Sequence, residues 1–220
     1  MINQIPRFNS RLQQGTYNTA GLPTANIRVL HAVPDAPCVD VYANGALIAR
    51  NLCYKDFSEY IAVPSGYYNI AIYATGDTST PVLTEQVLLA PGTISTAAAT
   101  GKLENIKLTK VEDTRLPMNP ERAQLRVVNL SPNSPAVDVA LRSGDLLFKN
   151  IGFNVASPYL SLPPNTYNFE IFRGSTPGKI LSVPNINIKP NRFLSMYLVG
   201  LLEDNPELEV LIPMDGNTYL

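Results

Sequence analysis

Apolar side chains along this chain alternate over short runs and do not recur every third or fourth residue. In "YYNIAIY" Tyr68, Ile70 and Ile72 fall on one side and Asn69 and Ala71 on the other, the period of a half-buried strand. "YNFEIF" repeats the pattern with Tyr167, Phe169 and Ile171. Comparable runs rich in Val, Ile, Leu, Tyr and Thr fill the chain, broken by Pro and Gly about every 8–12 residues. Asn44-Gly45, between two apolar stretches, signals a two-residue hairpin. No segment holds a helical period over three turns. The pattern predicts an all-β protein built as sandwiches.

The pattern also occurs twice. "NIRVLHAVPDAPCVDVY" from Asn26 lies over "QLRVVNLSPNSPAVDVA" from Gln124, an offset of 98 residues that becomes 99 after one extra turn residue. "NGALIARNL" matches "SGDLLFKNI", "SEYIAVPSGYYNIAIY" matches "SPYLSLPPNTYNFEIF", and Gly101 falls on Gly200. A period this long is not that of a solenoid. The expected organisation is an N-terminal arm over 1–25, a sandwich over 26–114, a linker over 115–121 stiffened by two prolines, and a second sandwich over 122–220 that ends in a short tail. The two sandwiches are expected to be independent tandem domains.

Chemistry-bearing residues gather in the first copy. His31, the only histidine, lies close to Asp35, Cys38 and Asp40. The second copy has Asn129, Asn133 and Ala136 at the first three of these positions, so no group there titrates near neutrality. Both copies keep P-x-x-P-x-V-D-V: Pro34, Pro37 and Asp40, and Pro132, Pro135 and Asp138. Residues kept in both copies are first those the fold requires. Aspartate is a poor strand former, and the reading here is that each carboxylate accepts backbone N–H bonds from the Pro-x-x-Pro loop. A cation bound by Asp35 and Asp40 is the competing reading. The apolar parity changes after Val29 and again after Val127. That suggests a β-bulge or a change of sheet, with His31 on the wetter side and Arg28 outward. Tyr68 and Tyr167, each following a proline turn, fit a tyrosine corner as well as a plain core tyrosine. In the hairpin register set by Asn44-Gly45, opposite residues sum to 89, which puts Cys38 and Cys53 on a diagonal. Diagonal neighbours lie about 7–8 Å apart, so two free thiols are expected.

Composition narrows the function classes. Charged residues are 16% of the chain and the net charge is −1, without the basic block that phosphate neutralisation needs. Nucleic acid is therefore not an expected partner, and no apolar run reaches the ~20 residues of a membrane span. The first 25 residues lack the apolar core of a secretory signal, so synthesis in the cytoplasm is expected. They contain Arg7 and Arg11 and no acid, and Ile2, Ile5 and Phe8 could seat in a neighbour's sheet groove if the arm adds a strand to it. No nucleophile elbow or phosphate loop is present; no catalytic residue, metal or cofactor is assigned.

At "RVLHAVPDAPCVDVYANGALIARNLCY…SEYIAVPSGYYNIAIY" the chain resembles the bacterial domain-of-unknown-function family 4397, whose members carry a V-x-H-A-S-P-D-A-P-x-V-D-V-Y-x-[DN]-G pattern followed by Y-x-x-L-P-A-G-x-Y. Val33 departs from it in the first copy, and the second copy has Ser131 there but lacks the histidine. The resemblance implies an Ig-like or prealbumin-like sandwich, often in tandem and often at a bacterial surface, with no known enzyme activity. By analogy, a spore coat would suit a surface-type domain made without a signal peptide. The expected function is a non-enzymatic structural or interaction protein of a bacterial surface or spore layer. Its expected partners are copies of itself or other coat proteins. The alternative is a carbohydrate- or peptide-binding module, whose exposed aromatics would include Tyr42, Tyr54, Tyr73 and Phe172.

Overall fold

A computed structural model describes residues 23–174 and 178–220. The first half holds β1 (Thr24–His31), β2 (Val39–Ala43), β3 (Ala46–Leu52), β4 (Ile61–Pro64), β5 (Gly66–Ala74), β6 (Leu83–Leu89), β7 (Ile94–Thr100) and β8 (Lys107–Glu112). The second holds β9 (Ala123–Asn129), β10 (Val137–Leu141), β11 (Leu146–Ile151), β12 (Val155–Ala156), β13 (Leu160–Leu162), β14 (Asn165–Arg173), β15 (Lys179–Ile188), β16 (Arg192–Val199) and β17 (Glu209–Leu211). Helix among the described residues is limited to the 3-10 turns Leu103–Asn105 and Gly216–Thr218. The protein is all-β.

Each half stacks two sheets. In the first half, β4-β1-β7-β8 faces β3-β2-β5-β6; in the second, β12-β9-β16-β17, with β13 also on β9, faces β11-β10-β14-β15. Both halves contain one parallel pair in an otherwise antiparallel set: β1 with β7, and β9 with β16. Ile27, Val29, Val41, Ile70, Ile72 and Leu89 fill the space between the first pair of sheets. Leu125, Val127, Val139, Phe169, Ile171 and Met196 fill the second.

A third apolar cluster joins the halves. Leu30, Ala32, Ala98 and Val111 pack with Val128, Leu130, Tyr197 and Val199. The sheets containing β1 and β9 are thus covered on both faces, by their own core on one side and by the sister half on the other. That explains the parity seen in the sequence. β1 pairs with β7 from Asn26↔Ile94 to His31↔Ala99 without a register shift, so β1 itself is not bulged; a one-residue slip between Ile27↔Ile61 and Leu30↔Phe57 places the extra residue on the partner segment before β4. Leu30 and Ala32 are apolar because they face the other half. Arg28, expected outward, is 4% exposed, and His31, expected in water, is 0% exposed. Strands buried on both faces lose the clean apolar–polar alternation.

β1 begins at Thr24 and Ala25 is fully buried, so the last two residues set apart as an arm belong to the first sheet. Ile2, Ile5 and Phe8 lie outside the described residues.

Candidate functional site

The loop leaving β1 is held by the histidine. His31 Nδ1 accepts from the Val33 amide at 3.3 Å, and Nε2 lies 3.0 Å from Pro37 O. A ring that accepts at Nδ1 and donates at Nε2 is the neutral tautomer, and burial lowers its pKa. Asn129 makes the same two bonds in the second half. Its Oδ1 accepts from Ser131 N at 3.1 Å, and its Nδ2 donates towards Pro135 O at 3.5 Å and to Ile151 O at 3.1 Å. Asp35 and Asn133 are matched in the same way. Asp35 Oδ1 accepts from Leu103 N at 2.8 Å, and Asn133 Oδ1 accepts from Leu202 N at 2.8 Å. The amides of the second copy therefore reproduce the hydrogen bonds of the titratable residues in the first.

The aspartates hold something other than the Pro-x-x-Pro loop. Asp40 Oδ1 accepts from Asn51 N at 2.7 Å and from Thr75 Oγ1 at 3.3 Å; Asp138 Oδ1 accepts from Asn150 N at 2.6 Å. Asn51 and Asn150 have φ of 50° and 57°, a left-handed backbone that asparagine tolerates. The register between β2 and β3, and between β10 and β11, shifts at this level. Each carboxylate thus satisfies an amide freed by a bulge. Strand alternation turns the aspartate away from the loop, and the histidine or asparagine on the core side secures the loop instead. Among the described residues no cluster of His, Cys, Asp and Glu could hold a metal ion.

The same shifts overturn the expectation of free thiols. Ala43 faces Ala46, Val41 faces Ala49 and Val39 faces Leu52, so two slips bring Cys38 directly opposite Cys53. They form a disulfide, with Cα atoms 4.0 Å apart. Ala136 and Gly152 stand at the matching positions of the second half. Both tyrosines close corners: Tyr68 Oη donates to Pro64 O at 2.8 Å and Tyr167 Oη to Pro163 O at 2.7 Å.

The densest polar centre lies between the halves and was not singled out from sequence. Arg28 donates through Nε to Thr96 Oγ1 (2.9 Å), through Nη1 to Met214 O (3.0 Å) and through Nη2 to Asp215 Oδ1 (3.3 Å). Arg126 donates through Nε to Ser195 Oγ (2.6 Å), through Nη1 to Glu112 O (2.8 Å) and through Nη2 to Asp113 Oδ1. Each arginine rises from the first strand of its own half, bonds a hydroxyl on the neighbouring parallel strand and crosses to the end of the other half. Tyr60 and Tyr159, equivalent in the repeat, lie against the guanidiniums at 4.6 and 4.7 Å. Their hydroxyls donate to Asp113 Oδ2 (3.3 Å) and Asp215 Oδ2 (2.6 Å). The contact is reciprocal about an approximate two-fold axis, the geometry of an isologous dimer within one chain. Burial and the nearby Asp215 raise the Asp113 pKa to about 6, against the opposing pull of Arg126 and Arg28. Two cations and two carboxylates balance, which buried charges require.

The C-terminal segment is part of this centre and not a loose tail. Asp215 is fully buried, Gly216 N donates to Asp113 Oδ2 at 3.1 Å, and Asn217 Nδ2 donates to Thr114 O at 2.8 Å. The repeat did carry a signal for the centre: Arg28/Arg126, Tyr60/Tyr159 and Thr96/Ser195 match in residue type. An arginine kept twice inside an apolar strand marks a buried partner.

Fold and site together define a two-sandwich protein whose paired polar residues support its own framework. The model of a family described as "Domain of unknown function (DUF4397)" matches residues 25–140, more than half of the chain, and the chain belongs to that family. No curated protein sequence matches it. Among solved structures, the Bacillus anthracis TIE protein is similar at 10% identity and a TM-score of 0.28, over 82% of this chain and 34% of that one. The chain thus spans about a third of that protein's length. CBMbc, a family CBM26 module of Amy13K from Eubacterium rectale solved in complex with maltoheptaose, is similar at 9% identity and a TM-score of 0.25, over 88% of this chain and 99% of that one. Neither likeness bears on function.

Proposed function

We propose that the protein is a non-enzymatic building block of a bacterial surface or spore layer, associating with copies of itself or with other layer proteins. The observation that supports this most is the reciprocal arginine–aspartate centre, which makes two sandwiches into one stiff body with two outward sheets. His31, Asp35, Asp40 and the buried arginines are all committed to holding backbone or one another, and act as framework. The Cys38–Cys53 bridge favours a location outside the reducing cytoplasm. The low charge leaves few lysines to guard sheet edges, and residues 1–22 are the segment proposed to pair with such an edge. The test is sedimentation of the full chain and of a chain starting at Pro23. Concentration-dependent oligomers that vanish on truncation support the reading. A full chain that stays monomeric at high concentration, or a truncated chain that assembles equally well, refutes assembly through the arm.

A further inference from the structure

The outward face of the first half's β3-β2-β5-β6 sheet differs from its counterpart at one place. On β2, Tyr42 stands opposite Ala71 of β5, and Asp40 opposite Tyr73. Tyr42 and Tyr73 are half-buried, and their rings meet edge to face with centroids 5.5 Å apart and planes at 83°. They border an open concavity of about 570 Å³ that also takes in Asn44, Asn69, Ala71 and Thr78. None of its lining residues is charged. Asn44 Oδ1 accepts from the Asn69 amide at 2.9 Å, and its Nδ2 has no partner among the described residues. In the second half the matched face has Ala140 opposite Glu170 and Asp138 opposite Phe172. There Lys179 bridges to Glu170 at 3.2 Å, so a salt bridge lies where the first half is open and neutral.

We propose that this concavity binds a neutral saccharide. A tyrosine face takes the C–H side of a sugar ring, as aromatic anchors with a polar tip do at wet interfaces. The touching pair forms one aromatic wall, and the small side chain of Ala71 beside it leaves room for a ring. The Asn44 and Asn69 amides and the Thr78 hydroxyl supply donors and acceptors for ring hydroxyls. No lining side chain offers a counter-charge to an acidic sugar or an ionic peptide, so the site favours neutral ligands. The inference goes beyond the building-block reading: self-association is measured by sedimentation and sugar binding by titration, so either can fail alone.

The experiment is isothermal titration calorimetry of the full chain with cellohexaose, laminarihexaose, maltohexaose and chitohexaose, and with trigalacturonate as a charged probe. Saturable binding of at least one neutral oligosaccharide is expected, and none of the charged probe. Tyr42→Ala should weaken binding at least tenfold. Ala71→Glu puts a carboxylate into the neutral concavity beside Tyr42 and should abolish binding; its melting temperature is measured alongside, and Ala71→Gln, which fills the same space without charge, serves as the second variant. Phe172→Ala should leave the affinity as it was. The proposal is overturned if no neutral probe binds at millimolar concentration, if trigalacturonate binds as well, or if Ala71→Glu binds like the unaltered chain.

Discussion

His31 shows how a residue type can mislead when its surroundings are not known. It is chemically the most suggestive side chain of the sequence, yet it is fully buried and bonds backbone through both ring nitrogens. Its expected position in water followed from reading Leu30 and Ala32 as core-facing, and the sequence does not show that the sister half covers them. Folding lowers the His31 pKa, so below the unfolded value of about 6.5 the unfolded chain binds the proton more readily. The stability contributed by the neutral ring is therefore complete above about pH 6.5 and is lost as pH falls through that value towards the folded pKa. Asn129 already performs the same task without titrating, so His31→Asn should fold and should lose this acid-side slope. Urea melts of the two proteins between pH 5 and 8 check it, because the Asp113 contribution is common to both and drops out of the difference. Asp40 and Asp138 were legible as structural, but not in what they bind. Asp40→Ala, which strands the amide of Asn51, should cost about 1.5–3 kcal/mol in denaturant unfolding, and added calcium or chelator should change nothing.

At the scale of elements, the hairpin β2–β3 was readable at its turn and unreadable at its open end. Asn44 and Gly45 have φ of 48° and 81°, as the two-residue turn demands. The two slips further along depend on Asn51 taking a left-handed conformation and on the Asp40 carboxylate that meets it. These are long-range effects that hairpin arithmetic from the turn leaves out. The slips turn a diagonal cysteine pair into a directly opposed one. Alkylation followed by mass spectrometry should accordingly add no label before reduction and two afterwards. Removing the bridge, which closes a separation of 15 residues, should destabilise the protein by about 3 kcal/mol. The turn after β7 and its match after β16 make a second case. Gly101 and Gly200 have φ of 92° and 86°, and an added Cβ would come within 2.7 Å of Asn105 O and 2.1 Å of Glu207 O. Gly200→Ala should therefore lower the melting temperature clearly, as both strain and collision oppose it. The repeat marked both glycines, and the reason lies in a backbone approach that only the fold displays.

For the whole molecule, the all-β character and the repeat were open to reading because strand period and turn residues are local signals. The packing of one half against the other was not, since an apolar outward position looks the same whether it meets its own core or a sister domain. The two sandwiches form one body, locked by Arg28 with Asp215 and Arg126 with Asp113. Breaking such a centre leaves a buried charge unpaired, at a cost of about 3–5 kcal/mol. Differential scanning calorimetry tests this directly. The intact chain should unfold in one transition whose calorimetric and van't Hoff enthalpies agree, and Asp215→Ala should split it into two. Two transitions in the unaltered chain, with midpoints that Asp215→Ala does not move, would show that the halves are independent and would contradict the account.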